Sequence, residues 1–467
     1  MNDENKYEIE ISGQIMTLTK IEFDQLLLSN GWKVDADGNI YEEQHVGVVP
    51  KILDQWFAER VEYRKLEKQY SDSGDKEKEG FYKRRQLRQK IFLNSVYGVL
   101  GLPIFRFYDR DNAEATTISG QTIIRTAEKL VNDTYVTKFK EKNVVPPTDD
   151  FVKYIDTDSL YVSAMPLASL EGDIDKMLSE TVEFHGAKMS KMEQFTIQTV
   201  TDIAAKINKL YVYMVPRVFN VSAEKNRIKI VPDVIAKKAL WIAKKRYAML
   251  KVYDMEKMKP VTDKKGNDGK LEVKGIDTVK SSFPAVFRKF MGEMLDLLLR
   301  STPREVLDEK IMQFEEEIDN HSIFDLAKTT SAKFVSQNGE NNYNPKGRKL
   351  FQFVLKTPIG VKAALAYNDF LKIWGLENVV EPVQHGSKIK WVYLLPNDFC
   401  VEQLAMKADD TDPDKILEFI TTHIDRRKMY NSELHSKLEE IYHCVGWKYP
   451  NRGSQLASKV FDFSEAW

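Results

Sequence analysis

Cysteine is nearly absent: Cys400 and Cys444 are the only two in 467 residues. A disulfide framework and a four-cysteine metal site are thereby excluded, and both thiols read as ordinary buried or half-buried side chains in a reducing cytosol. No apolar run reaches the ~18 residues that a membrane span needs. The N-terminal stretch MNDENKYEIE is acidic and polar, unlike a secretion signal. There is no excess of either charge, with 69 Lys and Arg against 70 Asp and Glu, so net charge gives no pointer to nucleic acid. Internal repeats and long low-complexity segments are also missing.

What is present is the composition of a globular protein, 42% hydrophobic and 30% charged, in a chain long enough for about three domains. The charge is unevenly placed. Lys83, Arg84, Arg85, Arg88 and Lys90 fall within ten residues that hold no acid, and from Glu224 to Lys251 nine basic residues face only Glu224 and Asp233. Clusters of this kind suit phosphate binding, because neutralising phosphates releases counterions. A lone basic run is more commonly a solvated helix face.

The first 50 residues alternate apolar and polar positions, with turn signals at Ser12-Gly13, Asn30-Gly31 and Asp37-Gly38. They predict short hairpins and one helix over Lys20 to Leu28. After Pro50, helical periodicity runs from Lys51 to about Tyr70, SDSGD at 71–75 breaks it, and a second helix covers Lys76 to Val96, giving an antiparallel pair. A helix over Ala113 to Phe139, a strand signal around Asp156 and an amphipathic helix from about Met177 follow. Strand-like stretches occupy Arg227 to Glu256, Lys257 to Lys274 reads as a polar connection, and the chain beyond Pro284 is mainly helical to Phe324. Residues 336–347 predict an exposed loop, and a last helix lies near Ser432 to Tyr442. The sum is an α+β protein.

Two motifs carry chemistry. Lys90, Asn94 and Tyr97 fall at i, i+4 and i+7 on one helix face, an arrangement unusual for a core and suited to gripping a phosphate beside a packed base. Arg60 and Arg64 repeat the spacing on the preceding helix, so an antiparallel pair would let them converge with Lys90 on one polyphosphate. Downstream, Asp156-Thr157-Asp158-Ser159 places two carboxylates at a hairpin tip between apolar strands. Hard Mg²⁺ takes one or two carboxylates plus substrate phosphates. Alone, such a tripeptide reads as an Asx-rich turn.

The two motifs in that order, KxxxNSxYG and then DTDS about 60 residues on, resemble the second and third polymerase motifs of family-B DNA polymerases of the T-even-like bacteriophage type. The likeness extends over Gly47-Val48-Val49-Pro50, Arg106-Phe107-Tyr108-Asp109, Ala115 to Gln121, Lys244-Lys245-Arg246-Tyr247-Ala248 and Lys280-Ser281-Ser282. It implies a right-hand polymerase fragment with an antiparallel β palm, helix-pair fingers and a mostly helical thumb. The parts would be 1–46 (palm portion), 47–102 (fingers), 103–275 (palm with the DTDS hairpin), 276–445 (thumb) and 446–467 (tail). Asp158 would be the principal metal ligand and Asp156 a weaker one, with Asp233 aligned to a nearby acid. Arg60, Arg64 and Lys90 would hold the triphosphate, while Asn94, Tyr97 and Gly98 would shape the base-pair pocket. Lys244, Lys245, Arg246, Tyr247, Lys280, Ser281 and Ser282 would meet DNA. Ile155 stands where many relatives carry glycine.

The family's first motif, an Asp before Ser-Leu-Tyr-Pro, does not occur upstream of the fingers, nor does an exonuclease signature. The resemblance therefore implies a catalytic C-terminal subunit of a split polymerase. It would share two Mg²⁺ ions with a partner subunit that supplies the first motif and the 3′-5′ exonuclease. It would act on primer-template DNA and dNTP, away from membranes, in the cytoplasm of an infected bacterial host. Val460, Phe461 and Phe463 in the tail would dock on a sliding clamp. The rival expectation is a non-catalytic primer-template binding module derived from a polymerase.

Overall fold

The computed structural model describes residues 6–450 apart from 12, 43–45, 336–342 and 410. It forms two compact units, Met1–Asp233 and Val234–Trp467. The division falls inside the stretch 103–275 that the resemblance assigns to one palm. Among the described residues no helix is long and apolar enough to cross a membrane.

Unit 1 opens with two small hairpins, β1 (Lys6–Ile11) with β2 (Gln14–Thr19) and β3 (Lys33–Val34) with β4 (Ile40–Tyr41), around α1 (Lys20–Asn30). Thr19 and Glu22 close a capping box at the start of α1, and Gly31 ends it in the left-handed region. The long pair follows, α2 (Val48–Asp72) and α3 (Lys76–Leu100). Helix α2 begins ahead of Pro50 because N–H groups in the first turn have no helical acceptor, so proline costs nothing there. Asp109 caps α4 (Arg110–Glu141) by accepting from the Asn112 N–H at 3.0 Å. Asp109→Ala should therefore lower unit 1 stability by about 1 kcal/mol, read by thermal unfolding.

Beyond α4 come β5 (Val152–Asp156) and β6 (Ser159–Val162), α5 (Met165–Glu171), α6 (Ile174–Ser179), a third hairpin of β7 (Thr181–Phe184) and β8 (Ala187–Ser190), and α7 (Lys191–Phe219). The single helix expected from Met177 is in fact this short α6, the hairpin and then α7. His185 and Gly186, both at positive φ, make the reversal, and a Ser190–Glu193 capping box restarts the helix. The core of this unit lies between α4 and α7, where Ala127, Val131, Tyr135 and Phe139 meet Ile203, Ile207, Tyr211 and Val215, with Phe151 and Val152 of the β5 side buried among them.

Unit 2 starts with β9 (Val234–Ala243), β10 (Arg246–Asp254), β11 (Lys259–Pro260) and β12 (Lys270–Lys274), an antiparallel sheet in which β10 pairs with the other three. The polar connection expected over Lys257 to Lys274 thus contributes two strands. Helices α8 (Ala285–Leu299), α9 (Arg304–Glu317) and α10 (Ile323–Leu326) lead to β13 (Lys328–Ser331). Then follow α11 (Ile359–Ile373), β14 (Lys388–Tyr393), β15 (Gln403–Lys407), α12 (Asp414–His423) and α13 (Arg426–Tyr430). A π turn at Asn431–His435 runs into α14 (Ser436–Cys444). One continuous core joins α8, α9, α11 and the β13–β14–β15 sheet. Cys400 and Cys444, expected to be at least half-buried, are both exposed; partial desolvation and then the Glu440 charge raise the Cys444 thiol above its ordinary range.

Candidate active site and nucleic-acid interface

The helix pair sets the register of the phosphate-binding candidates. Trp56 lies across from Phe92, with ring centroids 5.3 Å apart; Gln89 donates to Glu59; the Arg85 guanidinium donates to the Tyr63 hydroxyl at 3.2 Å. These contacts fix an antiparallel arrangement. The inward seam of α2 holds Leu53, Trp56, Arg60, Tyr63 and Tyr70, and that of α3 holds Tyr82, Gln89, Leu93 and Val96, a spacing of three and four as in a coiled coil. Aromatic rings fill it: Tyr70 stacks on Tyr82 at 5.5 Å, and Arg85 lies over Phe81 at 4.9 Å.

Arg64 and Lys90 each follow a seam residue by one, which in an antiparallel pair places them on the same flank. In this register Lys90 lies opposite Ala58, close to Arg60, whereas Arg64 sits about 9 Å further along the axis at 1.5 Å per residue. Arg60 is half-buried in the seam; Arg64, Lys90, Asn94, Tyr97 and Gly98 are exposed. Lys90 and Arg64 thus share one flank of the pair, with Arg60 in the seam at a level between them. Lys83 belongs there too, a full heptad before Lys90, which is itself a heptad before Tyr97. Reading the sequence by fours missed it; reading it by sevens would have found it.

The carboxylate hairpin is built on the α4–α7 core, into which Ile155, Leu160 and Val162 pack. The Tyr135 hydroxyl donates to the Ser163 carbonyl at 2.8 Å and Asn132 Oδ1 accepts from the Phe151 N–H at 2.8 Å, anchoring both ends of the hairpin. Asp156 pairs with Ser159, leaving Thr157 and Asp158 as a two-residue loop. Thr157 sits at φ +58°, an outlier for a β-branched residue that costs of order 1–3 kcal/mol. The loop is held by the Asp158 N–H donating to the Asp156 carbonyl at 2.7 Å and by the Ser159 hydroxyl donating to the same oxygen at 3.1 Å. Strain is thus spent on placing one exposed carboxylate, Asp158, beside a half-buried one, Asp156.

Both side chains offer hard oxygen donors at an accessible tip, the donor chemistry that fits Mg²⁺. Asp233 is exposed at the end of unit 1. Among the described residues no three or more of His, Cys, Asp and Glu gather into a group that could hold a metal ion, so Asp233 does not complete a triad with the hairpin pair.

In unit 2 the basic segment resolves into distinct roles. Lys244 and Lys245 are not strand residues: Ala243 pairs with Arg246, and the two lysines form the exposed turn between β9 and β10. Lys245 is held at φ +62°, and Gly275, at φ +64°, lies so close that a Cβ there would collide with the Lys245 carbonyl oxygen. Only glycine fits under that turn. Gly275→Ala should cost about 1–3 kcal/mol in unit 2 and displace Lys245, which thermal unfolding and duplex binding would report. Arg246 is half-buried and donates to both carboxylate oxygens of Glu440 at 3.0 and 2.9 Å, which ties the start of β10 to α14. Tyr247 is buried, 5% exposed. Lys280 pairs with Asp277 at 2.9 Å, and Ser281 and Ser282 beside it are exposed. Val460, Phe461 and Phe463 lie outside the described residues.

The chain is similar to known polymerases. It is 28% identical over 374 residues to a DNA-directed DNA polymerase of Enterobacteria phage T4, a stretch covering 79% of this chain and 38% of that protein. It is 30% identical over 220 residues to the DNA-directed DNA polymerase of Escherichia phage RB69, covering 46% and 22%. It is 22% identical over 370 residues to a DNA polymerase of Fowlpox virus (strain NVSL), covering 76% and 32%. The chain therefore spans well under half the length of these relatives. Residues 17–175, which run from β2 through the helix pair, α4 and the carboxylate hairpin to the start of α6, match the family described as DNA polymerase family B.

Proposed function

We propose that this chain is the fingers-bearing C-terminal catalytic portion of a DNA-directed DNA polymerase, adding dNTPs to a primer 3′-hydroxyl on template DNA. The observation that carries this reading is the strained loop that sets Asp158 beside Asp156 in the same compact unit as the Arg64–Lys90 flank. When bound, two Mg²⁺ ions at these carboxylates would supply the Lewis acidity that activates the 3′-hydroxyl and neutralises the leaving pyrophosphate. The chain's own part is electrostatic and positional. Arg60, Arg64 and Lys90 neutralise triphosphate charge, while Asn94, Tyr97 and Gly98 present an open face on which a base can pack.

Asp156 and Asp158 make a pair where the proposed reaction needs a further bridging carboxylate. The reading is that another polypeptide segment, with the first polymerase motif and the 3′-5′ exonuclease, supplies it. Primer extension tests this: the chain alone should show none, and addition of an upstream polymerase fragment carrying that motif should restore it. Robust extension by the pure chain would sink the shared-site reading. The tail residues Val460, Phe461 and Phe463 are assigned to a sliding clamp on resemblance, and the setting to the cytoplasm of an infected bacterium. The non-catalytic binding module is the weaker reading, because two neighbouring carboxylates at a hairpin tip repel a phosphate backbone and bring no gain to a module that only grips DNA.

Lys90→Ala should raise the apparent KM for dNTP and lower kcat in the restored enzyme, since triphosphate contacts tighten as charge develops. A steady-state series over dNTP concentration reads both. An unchanged KM would remove Lys90 from the triphosphate site.

A further inference from the structure

Three rungs cross the α2–α3 seam in one register: Trp56 faces Phe92, Glu59 faces Gln89 and Tyr63 faces Arg85. The outer two tolerate sliding. Trp56 and Phe92 meet through broad apolar rings, and the Arg85 guanidinium lies over both Tyr63 and Phe81, at 5.5 and 4.9 Å. The middle rung is directional. Of all the residues of the two helices Gln89 alone is buried, 4% exposed. Its Nε2 donates to one carboxylate oxygen of Glu59, and the other accepts from Gln55 Nε2 at 3.0 Å. Gln89 Oε1 has no hydrogen-bond partner among the described residues. Leucine at this place would complete the seam without an unsatisfied acceptor. A polar pair here stabilises less than leucine and specifies register instead, as a buried asparagine does in a coiled coil.

The pair lies far from the turn that joins the helices. Glu59 stands fourteen residues before Ser73 and Gln89 fourteen after Asp75, two heptads up each helix and about 21 Å from the turn. A slip of one helical turn separates them. In one direction it sets Gln89 against Tyr63 and Glu59 against Leu93; in the other it sets Gln89 against Trp56. Either leaves a buried amide and a half-buried carboxylate without each other, facing rings or an aliphatic side chain, which is costly. Lys90 follows Gln89 directly, so the same slip moves Lys90 by about 5 Å along the flank relative to Arg64. A displacement of that size is far outside what a positioned reacting group tolerates.

We propose that Gln89, locked on Glu59, is a positioning residue for the triphosphate site: the pair sets the register of α3 against α2 and thereby the spacing of Lys90 from Arg64. The role in nucleotide binding rests on the polymerase reading; the register rests on the geometry above.

The test measures register and kinetics in the full chain. Spin labels at the exposed positions Lys51→Cys and Arg84→Cys, with Cys400→Ser and Cys444→Ser, report the axial offset of the helices by pulsed EPR. The doubly apolar variant Glu59→Leu with Gln89→Leu should melt at a higher temperature than wild type, yet its distance distribution should shift or broaden by about 5 Å, one helical turn. Exchanging the partners, Glu59→Gln with Gln89→Glu, keeps an amide on a carboxylate and should restore the wild-type distance. In the enzyme restored with the upstream fragment, the apolar variant should raise the KM for dNTP about tenfold, with a smaller fall in kcat, and the exchanged variant should return KM to near the wild-type value. A folded apolar variant with the narrow wild-type distance would overturn the proposal, leaving the register to the rest of the seam. A shifted distance with an unchanged KM would overturn the positioning role, and an exchanged variant as impaired as the apolar one would reduce the effect to local packing. A wild-type chain that extends no primer with the upstream fragment overturns the polymerase reading and the nucleotide role with it; an active wild type whose KM is indifferent to the pair overturns the proposal alone.

Discussion

Asp158→Ala is expected to lower primer extension by the restored enzyme by about 10³-fold or more while leaving primer-template affinity within a factor of two or so, because a preorganised charge at the reacting centre is worth several kcal/mol in the transition state and little in DNA binding. The exposed position of the side chain at the loop tip makes a folding defect a poor alternative explanation. Asp158→Asn separates charge from shape, since it keeps the volume and loses the hard anionic donor. Its activity should be as low as that of the alanine variant. Asp156→Ala should fall less, as its carboxylate is half-buried and also accepts from the Thr157 hydroxyl at 3.1 Å. Extension by Asp158→Ala at more than about a tenth of the wild-type rate would return the hairpin to the status of a structural turn.

The second large effect concerns stability and lies far along the chain from those carboxylates. Asp369 in α11 is fully buried and takes both Arg348 nitrogens, at 2.6 and 3.0 Å, together with the Phe351 N–H at 2.8 Å. The Arg348 side chain is only 8% exposed, and it also donates to the Lys349 and Gln352 carbonyls. Asp369→Ala leaves a buried guanidinium without its counter-charge and should cost about 3–5 kcal/mol, a fall in the melting temperature of unit 2 on the order of 10 °C. Replacing both partners by apolar residues, Asp369→Leu with Arg348→Met, should cost less than the single change, since no unpaired charge then stays buried. A single variant within 1 kcal/mol of wild type, measured by urea unfolding at constant m, would show that the pair is solvated in solution.

Much of the secondary structure is written locally. The breaker SDSGD, the aromatic and polar seam of α2 and α3, and the apolar strands around Asp156 all act over a few residues, and the helix pair and hairpin form where their spacing predicts. The α7 start was equally legible in Ser190 and Glu193, and the hairpin before it in His185-Gly186, yet the amphipathic pattern from Met177 onward masked both. Strands β11 and β12 were hidden for a different reason. They are short and polar, and Lys270–Lys274 extends only because β10 offers it a hydrogen-bonding edge.

The sequence by itself determined the chemistry on offer: two carboxylates two residues apart, a cation and an aromatic ring on one helix face, and basic runs between apolar strands. How those groups are buried and paired was decided only by tertiary structure, because it depends on residues up to 194 positions away. Arg246 is taken up by Glu440, Tyr247 is buried, and Lys245 is held in a left-handed turn over Gly275. Glu433 and Lys437 come together with Lys328 and Phe283 from three separate stretches of chain. Spacing rules see neighbours along a helix or strand; a charge brought across a core by packing leaves no period in the sequence to find.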